Sequence, residues 1–401
     1  MKYLWIGVSN SPKRREVIVK NGGKLLSAEV SSEAILKGFE ENGILCDSIN
    51  AGKLPTYPRY PEKKIPRSEW TSEKGMACVS VGYTNRPYIS ILSKKRSLVK
   101  EAKAWAIANR DEDVTVFVYQ MHSPFMHAAK TVKRIIPSAK IVLIVPDLPQ
   151  FMDLHMSPFK KILKAIDWKT IRRLMKSVDK YVLYSKHMAK FLGLRDGSWT
   201  VMEGSYDTNL LLNDSDTVSK SDKISVMYSG VLDTRYGIPE LLDAFAELDD
   251  KFELWFTGTG NAVELINKRA ENDPRIKNFG FLPSRRDLLL KQREATMLIS
   301  TRRPTEPASD YCFPSKLFEY MVSGNPVLSC RIGGIPDEYF DYLVDMKSVS
   351  KDDIKAAILK IADMELSERE EIGVRSKEFI LKEKSNVAQS RRMFEFIGND
   401  R

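Results

Sequence analysis

The chain lacks the marks of several protein classes. No apolar run approaches the ~20 residues that cross a bilayer, so any membrane contact is expected to be peripheral. Its four cysteines, Cys46, Cys78, Cys312 and Cys330, are far apart with no C-x-x-C spacing, which argues against a zinc module and a disulfide framework and fits a reducing cytosol. Histidine is scarce, at 4 in 401 residues. His122 and His127 find no third ligand nearby, so no metal site is expected. Short repeats and low-complexity tracts are absent. The opening residues Met1 to Ser9 turn polar too quickly for a secretion leader and read as a first strand.

What is present is soluble, ordered and basic. Hydrophobic residues make up 43% and charged residues 29%, ordinary for a globular protein, and 401 residues predict two domains. The net charge of +10 points to an anionic partner without choosing among nucleic acid, phosphorylated ligand and lipid.

Short apolar strands alternate with amphipathic helices, the pattern of a parallel sheet covered on both faces. Strands are predicted at 3–8, 44–49, 114–119, 141–145 and 180–184, then at 224–228, 252–256, 276–279, 297–300 and 327–330. Between the two sets lies 210–222, polar and turn-rich, which predicts a linker. The fold expected is α/β, with two doubly wound Rossmann-like domains at 1–209 and 223–385. The stretch from Pro55 to Arg96 is rich in Pro, Tyr and basic residues, and weakly periodic. It reads as a long, partly ordered loop, a kind of segment often used for function.

Residues 313–327 carry the densest signal. Pro314 suits the first position of a helix, Gly324 the residue just past its end, and Asn325-Pro326 leads into a strand. Lys316 falls in the first turn, where the helix dipole disfavours a cation unless an anion sits there too. Ser315 and Glu319 share one face, so a hydroxyl, bare N–H groups, a cation and a carboxylate line up as a diphosphate joined to a ribose would require. An ordinary solvated surface helix is the alternative.

Ligands of open α/β sheets bind beyond the C-terminal ends of the strands. There, Gly230 and Arg235 follow one strand, Gly258 and Gly260 the next, Arg302 and Arg303 a third, and Gly333-Gly334 the last. Glycines admit a close ligand and Arg235 could clamp phosphate bidentately. Each feature alone is equally a tight turn or a solvated loop; their convergence is more specific. In the first half, His122 and Asp147 follow strands and face the expected cleft, and Gly22-Gly23 forms a loop able to admit substrate. A structural role for His122 stays open. Asp111-Glu112-Asp113 precedes its strand, at the wrong end of the sheet for a metal–diphosphate site. Residues 159–190 interleave Phe159, Ile162, Leu163, Ile166 and Trp168 with Lys160, Lys161, Lys164, Arg172 and Arg173. That is a surface for anionic lipid, or a core-facing helix with a solvated basic face. No nucleic-acid-binding module is recognisable.

From Tyr228-Ser229-Gly230 through Arg235-Tyr236-Gly237, Thr257-Gly258-Thr259-Gly260, Phe279-Gly280-Phe281-Leu282, Phe313 to Val327 and Gly333-Gly334-Ile335-Pro336, the second half resembles glycosyltransferase family 4. These are retaining enzymes of the two-domain GT-B fold, and the likeness is greatest to the branch that builds bacterial surface polysaccharides. The resemblance implies two domains facing across a cleft, with the C-terminal helix at 386–401 returning to the first. It implies a nucleotide-diphosphate sugar, UDP-linked, on the second domain and a lipid-linked saccharide acceptor facing the first, with no cofactor or metal. Glu319 would hold the ribose as the second glutamate of E-x7-E, Arg235 and Lys316 the diphosphate, and Phe281 and Leu282 the base. Gly230, Gly258, Arg303, Pro314 and Ser315 would complete the donor site, and His122 would lie near the donor sugar. Tyr311 stands where the family has the first glutamate, and Pro146-Asp147 where it often has His-Asp. A GT-B epimerase or hydrolase, or an inactive GT-B partner subunit, is the alternative implied.

Overall fold

The computed structural model describes residues 1–20, 27–151, 157–212, 216 and 218–398. Gly22 and Gly23 lie outside the described residues. The chain divides into two compact units, 1–205 with 386–401, and 206–385. Each is mixed α/β with a largely parallel, Rossmann-like sheet.

In the first unit the strands are β1 (Lys2–Gly7), β2 (Cys46–Asn50), β3 (Lys64–Ile65), β4 (Ser68–Thr71), β5 (Ala77–Ser80), β6 (Tyr83–Thr84), β7 (Val114–Tyr119), β8 (Lys140–Val145), β9 (Lys180–Leu183) and β10 (Trp199–Val201). The main sheet runs β10-β9-β8-β7-β1-β2-β5-β4, and β3 pairs with β6. All six residues of β7 are buried, because an apolar run without alternation suits a strand covered on both faces. Among the described residues of the main sheet only the edge strand β4 is antiparallel, and the separate β3–β6 pair is antiparallel as well. The segment 55–96 is more ordered than its composition suggests. The Asn85 side chain ties it together by donating to the carbonyls of Pro55 (3.0 Å) and Glu62 (3.3 Å). The helix Asn386–Gly398 packs on the helix Ser27–Glu41, where a Cβ at Gly38 would lie 2.2 Å from the Asn386 carbonyl oxygen. Phe394 joins the rings of Tyr3, Phe39 and Phe117 at 5.4, 4.9 and 5.5 Å.

The second unit carries β11 (Ile224–Val231), β12 (Phe252–Thr259), β13 (Ile276–Asn278), β14 (Met297–Ser300), β15 (Val327–Cys330) and β16 (Val344–Met346), in the order β13-β12-β11-β14-β15-β16. Every pairing in it is parallel. Successive residues serve opposite faces: Met297 and Ile299 enter one core with Leu241, Phe245 and Ile358, while Leu298 enters another with Leu317, Met321 and Phe379. Each such fully buried side chain contributes roughly 1.5–3 kcal/mol. The chain crosses between units at Ser205–Tyr206, ahead of the expected linker. Within 210–222, Leu211 packs on the second unit, and the Lys220 ammonium donates to the carbonyls of Arg293 (2.7 Å) and Ala295 (3.0 Å). One apolar side chain and one hydrogen-bonded cation therefore tether what composition alone reads as linker.

Candidate functional site

Strand order fixes where a site belongs. In the second unit the chain runs outward from β11 to β13, then returns to β14 on the other side of β11. The crevice opens at such a reversal, beyond the C-terminal ends. Gly230 lies in the last two residues of β11 and Arg302 follows β14, so both stand at this point.

The backbone there is shaped for close approach. Gly230 and Gly258 are register partners with φ of 120° and 140°. A Cβ at Gly258 would overlap the Gly230 carbonyl oxygen at 1.8 Å, so no other residue fits there. The Tyr320 hydroxyl holds the preceding residue from both sides, accepting from Ser229 N–H (2.7 Å) and donating to Ser229 C=O (2.8 Å).

Lys316 is the chemical centre of the site. The helix begins at Lys316, two residues later than Pro314 as expected from sequence, because Pro314 and Ser315 form a tighter lead-in turn. Leu317 N–H bonds Pro314 C=O (2.9 Å) and Phe318 N–H bonds Ser315 C=O (3.2 Å). Gly324, at φ 78°, ends the helix as predicted. The Lys316 stem lies 3.9 Å from where a Cβ on Gly230 would be, and its ammonium sits 3.7 Å from the Tyr228 ring centre and 5.6 Å from that of Tyr320. Among the described residues no carboxylate pairs with it. Burial, then the charge of Arg302, lowers its pKa to about 7. A cation on two aromatic faces with no carboxylate beside it attracts negative charge.

The neighbouring cations divide into engaged and facing. The Arg235 guanidinium grips Asp233 through Nε (3.0 Å) and Nη2 (2.8 Å), and the pair lowers the Asp233 pKa while raising that of Arg235. Its outer edge remains exposed, 5.9 Å from the Tyr236 ring centre. Arg302 lies 5.6 Å from the same ring, which puts Arg235, Arg302 and Lys316 on one side of the unit. Arg303, the donor contact chosen from sequence, is instead paired with Glu240 at 2.5 Å. Arg302 is therefore the arginine that acts on Lys316. Adjacent residues on extended chain point apart, and sequence offers no signal for which one turns inward.

Glu319 lies one helical turn from Lys316, its Oε1 2.9 Å from Arg285 Nη2. Gly280 C=O accepts from Gly258 N–H (2.8 Å) and Thr257 Oγ1 (2.7 Å), bringing Phe281 and Leu282 beside the Gly258 turn. Phe281 is 47% exposed. Pro314 is buried and Tyr311 half-buried, in the turn that packs under Gly334. Sequence reading missed Tyr228, Tyr320 and Arg285. Tyr320 had a signal, four residues beyond Lys316 on the same helix face.

In the first unit the reversal falls between β1 and β7. His122 follows β7 and caps the helix Ser123–Ile135, after Gln120 in a strained left-handed conformation (φ 80°). Burial, then Lys94 and Lys53, lowers its pKa to about 3, so the imidazole is neutral at physiological pH. Asp147 follows β8, close enough for its charge to act on the buried hydroxyls of Tyr119 and Tyr184.

Residues 223–364 match the family model described as Glycosyl transferases group 1. No curated protein matches the chain. Solved structures match along its whole length. Anabaena HepE in complex with UDP has 14% identity, covers 100% of both chains and gives a TM-score of 0.66. The lipopolysaccharide outer core galactosyltransferase WaaB has 14% identity, 100% of both chains and 0.65. Sucrose-phosphate synthase from Thermosynechococcus elongatus has 12% identity, 100% of this chain and 99% of the other, and 0.64. The fold is thus that of the GT-B glycosyltransferases, and the family match falls on the unit that holds Lys316.

Proposed function

We propose that this protein is a retaining glycosyltransferase of family 4 that takes its sugar from a UDP-sugar and passes it to a lipid-linked saccharide in surface polysaccharide synthesis. The observation that carries the reading is Lys316, a desolvated cation without a counterion at the switch point of the second sheet. The UDP bound to HepE, a structure of the same fold, supports the choice of nucleotide.

Transfer breaks the bond between the anomeric carbon and the diphosphate, and negative charge grows on the departing oxygens. Lys316, Arg302 and the exposed edge of Arg235 stabilise that charge, each positioned donor being worth a few kcal/mol. These cations do the work of a divalent metal, so chelation with EDTA should leave the rate unchanged. The acceptor hydroxyl attacks from the face the diphosphate leaves, and the leaving phosphate oxygen takes its proton. By the family resemblance His122 would lie near the donor sugar, and as a neutral imidazole it carries no charge through the step.

Purified protein offered a panel of nucleotide sugars tests this. UDP-sugar turnover that depends on a lipid-linked acceptor is expected. Free sugar released without acceptor would instead make it a hydrolase, interconversion of the donor sugar an epimerase, and no turnover of any donor an inactive partner subunit.

We further propose work at the cytoplasmic face of the cell membrane. Among the described residues no helix is long and apolar enough to cross a bilayer. The helix Pro158–Met175 nevertheless exposes Phe159 (57%), Ile162 (58%) and Ile166 (59%) among lysines. Tyr88 extends the patch, its ring 5.6 Å from that of Phe159. A helix with such a face lies in the headgroup layer. Wild type should sediment with vesicles rich in phosphatidylglycerol, and a variant with Lys160, Lys161 and Lys164 changed to Gln should stay in the supernatant. Wild type that never sediments would end the idea.

A further inference from the structure

We propose that the first unit holds a second anion site, formed by Lys53 and Lys94 beside His122, which receives a phosphate group of the acceptor. Three chain segments build it. Gly52 and Lys53 follow β2, His122 follows β7, and Lys94 comes from the second turn of the helix Ile89–Ala108. The strands lie in the order β7-β1-β2, so the segments meet over the C-terminal end of β1, next to the switch point.

Lys94 resembles Lys316 in its surroundings. Its ammonium donates to Gly52 C=O at 2.9 Å and lies 4.3 Å from the Tyr83 ring centre. The Tyr83 hydroxyl donates to the same carbonyl, also at 2.9 Å, which fixes the ring beneath the cation. Burial, then Lys53, lowers the Lys94 pKa to about 8. Among the described residues neither lysine has a carboxylate partner. Glu62, whose charge reaches Tyr83, is committed to Arg14 at 2.8 and 3.2 Å. Two cations close enough to act on one another without a counterion disfavour one another, and an arriving anion relieves both. Both also act on His122. The site therefore sets a phosphate near the imidazole that the transferase reading puts close to the donor sugar.

The anion site stands on its own geometry; only the assignment of the anion to the acceptor rests on the transferase reading. Two sources share the chemistry, a soluble sugar phosphate and the diphosphate of a lipid-linked saccharide. Calorimetry on the full chain in the Lys316→Met background, where the donor site is weakened, reads the new site with pyrophosphate as probe. Binding is expected there, weakened at least 10-fold by adding Lys94→Met and about 3-fold by adding Lys53→Met. Lys382→Met, on an exposed side chain of the second unit, should change nothing. Absence of binding, or equal affinity in all variants, overturns the site. If Lys94→Met does not fold, Lys53→Met, whose side chain is exposed, decides by the same criterion. Acceptor assays on the otherwise wild-type enzyme then separate the sources. Each variant should raise KM for one of two substrates, a hexose phosphate or a saccharide lipid diphosphate in phosphatidylcholine vesicles, while UDP affinity stays unchanged. A KM unchanged for both would overturn the acceptor role while leaving the anion site in place. Failure of UDP to bind would refute the transferase reading and leave the pyrophosphate result valid.

Discussion

Changing Lys316 to Met is expected to weaken UDP binding 10- to 100-fold and, at the same time, to raise the melting temperature of the ligand-free protein. The first effect follows from loss of a charge-assisted contact, worth about 1.5–3 kcal/mol, with each 1.4 kcal/mol a factor of ten. The second follows from linkage. The Lys316 pKa is lowered from 10.5 to about 7 in the folded state. The unfolded chain therefore holds its proton more tightly, and the lysine destabilises the fold wherever the unfolded side chain is charged. That cost is fully present below about pH 7 and fades as pH rises toward 10.5. The gain in melting temperature for Lys316→Met should follow the same course, large at pH 6 and lost by pH 10.5.

UDP binding carries its own signature of this lysine. Only the ammonium form attracts the diphosphate, so affinity for the wild type should fall as pH rises above about 7. At pH 8 binding should take up a proton, visible in calorimetry as a heat that changes with the ionisation enthalpy of the buffer. Removing the positive charge of Arg302 by Arg302→Gln should raise the Lys316 pKa and move the fall to higher pH. Lys316→Met should bind UDP without proton uptake. Wild-type affinity in that variant would place the lysine outside the donor site.

How much of this could be read in advance depends on what kind of signal each residue leaves. Strands β7, β14 and β15 begin and end where sequence puts them, because each is a short apolar run bounded by polar or turn residues. The predicted β11 and β12 stop three residues early, at Tyr228 and Phe256. Ser229-Gly230-Val231 and Thr257-Gly258-Thr259 look like turns by composition, yet they stay paired across Gly230 and Gly258. The ladder β3–β6 and the edge strand β4 leave no trace, being two to four residues long with mixed exposure. The end of the Lys316 helix was legible because its stop signal, Gly324, is local, while its start lies two residues past Pro314. The pairings Arg303–Glu240 and Glu319–Arg285 were not, since each joins residues more than thirty apart in the chain, a distance at which a single sequence carries no pairing information.

That last pairing frames the second large effect. Glu319→Ala is expected to lower UDP affinity at least 10-fold and to abolish preference for an intact ribose. The carboxylate presents one oxygen to Arg285 at 2.9 Å, which fixes its orientation while leaving the other able to accept from a ribose hydroxyl. A carboxylate held in this way pays little entropy when the ligand arrives. The wild type should therefore bind UDP at least 10-fold more tightly than 2′,3′-dideoxy-UDP, the difference being a hydrogen bond to a charged group. In Glu319→Ala the two ligands should bind alike. Glu319→Gln should fall between, retaining an acceptor without the charge. Arg285→Gln serves as control: it frees the carboxylate without removing it, so ribose preference should shrink but survive. If Glu319→Ala keeps both its affinity and its preference, the carboxylate is only the partner of Arg285, and the nucleotide must be held by Lys316 and the glycine turns alone.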